Sequence, residues 1–337
     1  MSVVHFLNVL EGDCNIIQHD SGRLTVIDVC NADDGIDTEG EKAKKASASR
    51  TQMYSMTVPT GKKNYGRKTY PDNPIHYVKS ILKETSVFRF IITHPDMDHL
   101  DGIADFFGSF EIINIWDTDN EKEIADFKGG GYNKEDWDFY LKIRDGKEGN
   151  RKTFLAGDSV QYFNEDNIKI LSPTKDLISQ AIECDDYNDS SYVLLYTPPK
   201  NGRGQWKILF AGDSHDKTWD HIIENYNDDV TNVDILFAPH HGRGSDRNYD
   251  FLEVVQPKVT LFGNASSKHL DYASYPEHRI TNNQAGYVVL DISPANLKIY
   301  VENEEFANDY RNNPKRSWGN AIYDDNHKAY FLFRYSA

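Results

Sequence analysis

The segment His94-Pro95-Asp96-Met97-Asp98-His99 constrains this chain more than any other. It directly follows an apolar run, 87–93, that predicts a buried strand. A turn at the end of that strand can direct His94 and Asp96 to one metal ion, and Asp98 and His99 to another. Close pairs of divalent ions serve hydrolysis, because they polarise the substrate and generate hydroxide from water. The segment therefore favours a binuclear metal-dependent hydrolase over a solvated polar loop.

Two later segments strengthen this interpretation. Gly212-Asp213 ends one apolar run and His240-His241-Gly242 ends another. A lone Gly-Asp is a common turn, and we interpret Gly157-Asp158 as only a turn. Because both later segments follow the 94–99 motif in order, we expect Asp213 to bridge two ions and one histidine of the 240–241 pair to bind one of them.

Strands and helices alternate along the chain, which predicts an α/β or α+β fold. Amphipathic patterns predict helices over 74–85, 100–107 and 219–226. Apolar runs predict strands over 3–9, 15–18, 24–29, 87–93, 111–116, 168–171, 192–196, 206–210, 233–237, 259–262 and 287–292. The polar motifs follow strand ends, where sites lie in such folds.

The order of these motifs resembles the metal signature of the metallo-β-lactamase superfamily, and most closely the hydrolase domain of ComEC, a DNA-uptake channel protein. That subgroup has a first strand of the form F-L-x-V-G-Q-G-D, a strand ending in Asp, and Asn-x-x-Ser before the Gly-Asp strand. The matching segments here are Phe6–Asp13, Val26-Ile27-Asp28 and Asn188–Ser191. The resemblance implies an α/β fold, an αββα sandwich with two inserts. We expect one domain over 1–337, with a basic inserted loop at 31–75, an exposed polar insert at 117–150 and a C-terminal extension at 293–337.

The resemblance also implies roles for individual residues. His94 and Asp96 would bind the first ion; Asp98, His99 and His240 would bind the second, with His241 as the alternative to His240. Asp213 would bridge the two ions. Asp28 would orient a ligand histidine from behind or contact bound water. Asp13 and Asn188 would lie nearby, although turn or cap chemistry explains them equally well.

One departure from the family pattern bears on the metal. Most members carry His where Asp96 stands, and a further His before the Gly-Asp. Between residues 100 and 212 this chain has no histidine at all. ComEC-like members share the Asp. Such an imidazole-poor first site suits Mn²⁺ or Mg²⁺, so we expect two divalent ions, Mn²⁺ or Zn²⁺, with Mg²⁺ admissible.

For the chemistry itself, we expect a metal-activated hydroxide to attack the substrate. Asp98 or Asp213 would take the proton of the nucleophile, which makes both catalytic candidates. His269, with Lys268 beside it, is a candidate general acid, although an ordinary loop histidine is the simpler interpretation.

The charge distribution bears on the substrate. The chain has a formal net charge of −16, which argues against broad coating of nucleic acid. Yet residues 42–68 hold eight Lys or Arg and no Asp or Glu, and they follow the strand that ends at Asp28. With the ComEC resemblance, this favours a phosphodiesterase or nuclease acting on DNA or RNA. The alternatives are hydrolysis of a cyclic nucleotide or other small phosphodiester in phage–host signalling, hydrolysis of an ester or lactone, and a scaffold without activity.

The chain shows no sign of export. Its three cysteines form no close pair, its first residues lack a basic signal region, and no long uncharged apolar stretch predicts a membrane span. We therefore expect a cytoplasmic protein with no membrane contact. A partner protein or a homo-oligomer is left open.

Overall fold

The computed structural model describes residues 1–35, 65–127, 132–202, 204–266 and 269–337. Most of the basic loop predicted at 31–75 lies outside these ranges, as does Lys268. No helix in the described part of the chain is long and apolar enough to cross a lipid bilayer.

Two sheets form the centre of the molecule. The first has the spatial order β15-β16-β14-β13-β1-β2-β3-β4-β5-β6, and the second β12-β11-β10-β9-β8-β7. The strands of the first sheet are β1 Ser2–Phe6, β2 Asn15–Gln18, β3 Leu24–Ile27, β4 Ser86–Ile91, β5 Glu111–Trp116, β6 Arg151–Lys152, β13 Val288–Ile292, β14 Asn296–Val301, β15 Tyr323–Asp324 and β16 Ala329–Ser336. Those of the second are β7 Ile168–Ser172, β8 Val193–Tyr196, β9 Ile208–Phe210, β10 Ile235–Phe237, β11 Val259–Phe262 and β12 Arg279–Thr281.

Helices lie on the outer faces of both sheets and against the core between them, to which three helices contribute Phe163, Ala285 and Phe306. They are α1 Pro74–His76, which continues as a π-helix Tyr77–Leu82, α2 Ile103–Ser109, α3 Lys134–Arg144, α4 Gln161–Glu165, α5 Lys175–Cys184, α6 Asp216–Val230, α7 Phe251–Val255, α8 Asn282–Ala285 and α9 Glu304–Arg311. Asn73 caps α1, since its side chain accepts hydrogen bonds from the backbone of Ile75 and His76, and Pro74 occupies the first turn.

The core follows from the alternation of apolar side chains along the strands. In β9, Ile208 and Phe210 belong to the core between the sheets, whereas Leu209 belongs to the core under α6 and α7. A third core packs the first sheet against α1, α2 and α3. Because successive strand residues face opposite ways, wholly apolar strands require cover on both faces. The expected αββα sandwich is therefore confirmed.

The C-terminal region and the polar insert differ in part from the expectation. Residues beyond 292 are not appended to the fold: β14 and β16 pair antiparallel beside β13 and extend the first sheet. In the insert 117–150, α3 buries Trp137 and Tyr140 in the core. The carboxylate of Asp136 accepts hydrogen bonds from the backbone of Gly102 and Ala104 at the start of α2, at 3.0 and 3.1 Å. The insert is thus anchored by one face of α3, while much of the rest of its described part, including 145–150, is exposed as expected of a polar excursion.

Candidate metal centre

Four parallel strands end at one edge of the sandwich, and each is followed by predicted site residues. In the first sheet, β3 and β4 are parallel and lead to Asp28 and to His94–His99. In the second, β9 and β10 are parallel and lead to Asp213 and to His240-His241. The carboxyl ends of parallel strands share an edge, so segments far apart in sequence meet there.

Four side chains converge on a single point at this edge. One ligand atom each from Asp98, His99, Asp213 and His241 lies within 4.8 Å of the other three, and we call these residues the four-ligand cluster. Oδ1 of Asp213 lies 3.3 Å from Nε2 of His99 and 3.5 Å from Nε2 of His241, and the latter lies 3.7 Å from Oδ2 of Asp98. Donors about 2.1 Å from a tetrahedral ion are about 3.4 Å from one another. The cluster therefore has the dimensions of a metal site.

The polar atoms that line this space lack hydrogen-bond partners among the described residues. They are Nε2 of His94, His99 and His241, and Oδ1 of Asp213, all buried. Leaving buried polar atoms unpaired costs free energy, and native structures seldom do so without a ligand or water. Imidazole nitrogens with carboxylate oxygens are donors that Zn²⁺ and Mn²⁺ accept. The residues therefore fit a divalent cation.

Two further carboxylates hold the cluster histidines in place. Oδ2 of Asp28 lies 2.8 Å from Nδ1 of His99, and Oδ1 of Asp13 lies 3.1 Å from Nδ1 of His241. A carboxylate on Nδ1 keeps the proton there and leaves Nε2 free to bind a metal. The structure thus places Asp28 and Asp13 behind two ligands, where the family resemblance put Asp28. Their effect on a bound ion stays a prediction.

The other carboxylate oxygen of Asp213 faces a second group of residues, His94, Asp96 and His240, which we call the Asp96 side. Oδ2 of Asp213 lies 3.8 Å from Nε2 of His94 and 3.6 Å from Nε2 of His240. Nε2 of His94 lies 3.9 Å from Oδ1 of Asp96. Asp213 is therefore placed between two groups of donors, as a bridging carboxylate requires, but the donors of the Asp96 side are more widely spaced.

Of the two histidines expected to lie beside Asp98 and His99, the structure places the alternative, His241, there. His241, not His240, stands beside Asp98 and His99, and His240 joins the Asp96 side, which then has two imidazoles rather than one. The physical reason is the backbone: His240 and His241 both adopt left-handed conformations, with φ of 52° and 55°, inside the turn Pro239–Gly242. Their side chains therefore leave the turn in different directions.

The histidines of the site fall into two groups, those with raised and those with lowered pKa values. Burial acts to lower the pKa of His99 and His241, but the surrounding carboxylates, led by Asp213, together outweigh it, raising the pKa of His241 to about 10 and that of His99 well above its usual value. Burial dominates at His240 and lowers its pKa to about 3; burial and the neighbouring His99 lower that of His94. The cluster histidines thus hold protons that a metal ion would have to displace.

Several residues that contact the site residues belong to none of the motifs found in the sequence. Nδ1 of His240 lies 3.0 Å from Nε2 of His215, which follows Asp213 by two residues in the sequence. Thr93 donates its backbone N–H and its hydroxyl to Asp28, each at 2.7 Å. The ammonium of Lys122 contacts Oδ1 of Asp96. Only the proximity of His215 to Asp213 could have been noticed in the sequence.

The remaining predicted residues, Asn188, His269 and Lys268, belong neither to the four-ligand cluster nor to the Asp96 side. Asn188 begins the 3₁₀ turn Asn188–Ser190, and the next residue, Ser191, accepts a hydrogen bond from the backbone of Asp213 at 3.3 Å. Asn188 lies in the turn before β8, where its backbone N–H donates to Oδ1 of Asp186 at 3.2 Å, and its role at the centre stays a prediction. His269 is exposed, and its described contacts are made by its backbone, whose carbonyl accepts from Gly244 at 2.7 Å. Its role as a general acid stays a prediction, and Lys268 lies outside the described residues.

The fold and site define a two-sheet α/β sandwich with an imidazole–carboxylate centre at one edge. No protein-family model matches the chain, and no curated protein matches it. Among solved structures, it is similar to the metallo-β-lactamase fold protein YhfI from Bacillus subtilis, at 11% identity and a TM-score of 0.38, over 83% of this chain and 96% of that one.

Two further solved structures show a similar degree of likeness. A diphosphatase of the PhnP family has 11% identity and a TM-score of 0.39, over 83% of this chain and 94% of that chain. A long-form RNase Z from yeast has 10% identity and a TM-score of 0.37, over 83% of this chain and 40% of that chain. At these values the assignment of the fold rests on the sheet order and cores described above.

Proposed function

We propose that this protein is a divalent-metal-dependent hydrolase of phosphodiesters, with DNA or RNA as substrate. The four-ligand cluster, with its unpartnered buried donors, carries the proposal. When bound there, a Mn²⁺ or Zn²⁺ ion would activate water and polarise a phosphoryl oxygen. Oδ2 of Asp213 faces the Asp96 side, where the second ion of a binuclear centre would bind.

The ionisation of the carboxylates suits this role. Burial would raise the pKa of Asp98, but His241 and His99 together outweigh burial and lower that pKa. Burial likewise opposes ionisation of Asp213, and the surrounding histidines, led by His241 and His99, lower its pKa well below the usual value. Both carboxylates are therefore charged near neutral pH, as ligands of a divalent cation must be. Their charge also lets them orient a water molecule or accept its proton.

Positive groups near the centre support an anionic substrate. Nη1 of Arg243 lies 3.4 Å from Nε2 of His240, and Lys122 contacts Asp96. Both cations contact residues of the Asp96 side. Arginine and lysine are the usual protein partners of phosphate oxygens.

The ends of the basic loop also support this class of substrate. Asn31 donates its side-chain amide to the carbonyl of Asp72 at 2.9 Å, and the carboxylate of Asp72 accepts from the backbone of Asn8 at 2.9 Å. Asn8 lies in the turn that carries Asp13. Asp72, which follows the basic loop, is thereby joined to the turn that carries Asp13, and cations of that loop would be useful for binding phosphate if they reach the metal centre.

A substrate panel tests the proposal. Purified protein should degrade single-stranded DNA or RNA in Mn²⁺, and a chelator should abolish the activity. The variant Asp98→Ala/His99→Ala should be inactive, because it removes two of the four cluster ligands. A matched control is His76→Ala/Asp105→Ala, which changes the same residue types at exposed positions on the outer helices.

The panel also separates the competing functions. Full activity in Asp98→Ala/His99→Ala would refute the proposal. Cleavage of cyclic nucleotides in preference to oligonucleotides would favour a small-phosphodiester hydrolase. Activity confined to neutral esters or lactones would favour the third alternative.

A further inference from the structure

Lys122 is the residue whose position the proposed function does not yet explain. Its ammonium contacts Oδ1 of Asp96, a residue expected to bind an ion. Its backbone is fixed on both sides: its N–H donates to Oδ1 of Asn120 at 3.2 Å, and its carbonyl accepts from Arg144 at 2.6 Å. The lysine side chain is only 20% exposed, and its ammonium lies 5.5 Å from the ring centre of Tyr187. Lys122 is therefore held over Asp96 by the fold of the insert, rather than reaching it as a free surface chain.

The two sides of Asp213 are not equivalent as cation sites. Three donor pairs of the four-ligand cluster, at 3.3, 3.5 and 3.7 Å, are spaced as around a tetrahedral ion, and the described ion pairs of these residues include no lysine or arginine. On the Asp96 side the distances are 3.6 to 3.9 Å. There Asp96 already has a positive partner. A divalent ion would have to displace the ammonium, or share the carboxylate with it at the cost of repulsion between like charges.

We propose that Lys122 takes the place of the second ion: the wild-type protein binds one divalent ion tightly, in the four-ligand cluster, and the ammonium of Lys122 supplies the second positive charge on the Asp96 side. The inference deepens the proposed function and rests on it for the identity of the cluster as a metal site. It replaces the expectation of two bound metal ions with one bound ion, because the second positive charge of the centre belongs to the chain itself. The ammonium then lies where it can contact an oxygen of a phosphodiester held at the first ion.

Metal stoichiometry tests the inference without any measurement of activity. Apoprotein is titrated with Mn²⁺ and with Zn²⁺ by calorimetry, and bound metal is counted by elemental analysis after gel filtration. Wild type should retain one ion per chain. Lys122→Gln should bind a second ion about ten- to a hundredfold more tightly than wild type does, the range by which residues adjoining a metal site commonly alter affinity.

Three variants make the test specific. Lys122→Arg keeps the positive charge and should retain one ion. Lys122→Gln/Asp96→Asn should return to one ion, because the carboxylate freed by the first change is removed by the second. Lys134→Gln, a control at an exposed lysine of α3, should match wild type. Circular dichroism of each variant establishes that it is folded.

The outcomes separate this inference from the proposed function. Two tightly bound ions in wild type, unchanged in Lys122→Gln, would overturn the role of Lys122 and leave the metal-dependent hydrolase standing. A single ion in both wild type and Lys122→Gln would overturn it as well, since freeing Asp96 would then create no site. No bound ion in wild type would overturn the proposed function together with the inference.

Discussion

Replacement of Asp28 by Asn tests the prediction that Asp28 orients His99 as a metal ligand. Asp28 is buried and accepts three hydrogen bonds: two from Thr93, each at 2.7 Å, and one from Nδ1 of His99 at 2.8 Å. Its backbone is left-handed, with φ of 58°. Asn has the same shape and tolerates this conformation better than most residues. Asp28→Asn therefore changes the chemistry of the side chain with little effect on the backbone.

The expected loss follows from the hydrogen bonds. An Asn that accepts from the backbone of Thr93 through its oxygen presents its NH₂ group to His99. Nδ1 of His99 must then act as the acceptor, which moves the ring proton to Nε2, the atom that faces the four-ligand cluster. Binding a metal requires that tautomer to be reversed. We expect metal affinity to fall about ten- to a hundredfold, or about 1.4 to 2.7 kcal/mol.

Competition with a chelator of known affinity measures this loss directly. Thr93→Val is the matched control: it removes one hydroxyl donor to Asp28, costs about 1 kcal/mol of folding stability, and leaves the bond between Asp28 and His99 in place. Its metal affinity should stay within about threefold of wild type, because the tautomer of His99 is unchanged. A folded Asp28→Asn protein with wild-type metal affinity would refute the argument.

Three further predictions concern the cluster and the fold. His241→Ala should weaken metal binding by more than about a hundredfold, since it removes a ligand rather than a supporting residue, whereas His240→Ala should keep the tightly bound ion; chelator competition measures both. Gly12→Ala should impair folding or displace the 94–99 loop, because a Cβ at Gly12 would overlap the backbone oxygen of Asp98, and thermal unfolding with a metal titration would show it. Burial lowers the pKa of His5 to about 4, so His5 should cost folding stability as pH falls below about 6.5, by up to about 1.4 kcal/mol per pH unit.

The sign of the last prediction follows from proton counts. Between pH 6.5 and 4 the unfolded chain protonates His5 while the folded protein keeps it neutral, so stability rises with pH in this window and is lost as pH falls through it. His5→Gln should flatten the slope, and the exposed His76→Gln should not. Equal slopes in the two variants would contradict the assignment to His5. An unchanged metal affinity in His241→Ala would contradict the prediction for that residue. Wild-type stability and metal binding in Gly12→Ala would contradict the prediction of a steric clash at Gly12.

The site segments were predictable because each joins two local signals. A buried apolar strand followed at once by ligand-type residues is visible in the sequence at 87–99, 206–213 and 233–241. The structure brings Asp28, His94, His99 and Asp213 together at the ends of β3, β4 and β9 as expected. What strand periodicity could not decide was which of two consecutive histidines faces which group, because their left-handed backbone obeys neither strand nor helix geometry.

The parts that the sequence missed depend on tertiary contacts. Residues 293–337 show mixed patterns, yet β14 and β16 complete the first sheet, since pairing with β13 supplies hydrogen bonds that local propensity does not reveal. Helix α5 went unpredicted although Thr174 caps it at Leu177. Lys122 lies in a polar stretch with no motif, and only the packing of the insert brings it to Asp96.

Part of the net charge of −16 is concentrated in the carboxylates of the metal centre. Asp98 and Asp213 are crowded into a buried space, where their mutual repulsion is offset by protons on His99 and His241, both of which have raised pKa values. A divalent ion takes over that offset and releases the protons, so metal affinity should rise with pH as the histidines are more easily deprotonated. On the Asp96 side, the ammonium of Lys122 provides that offset through its contact with Asp96. The two sides of Asp213 therefore differ: the four-ligand cluster exchanges protons for a metal ion, and the Asp96 side carries the ammonium of Lys122.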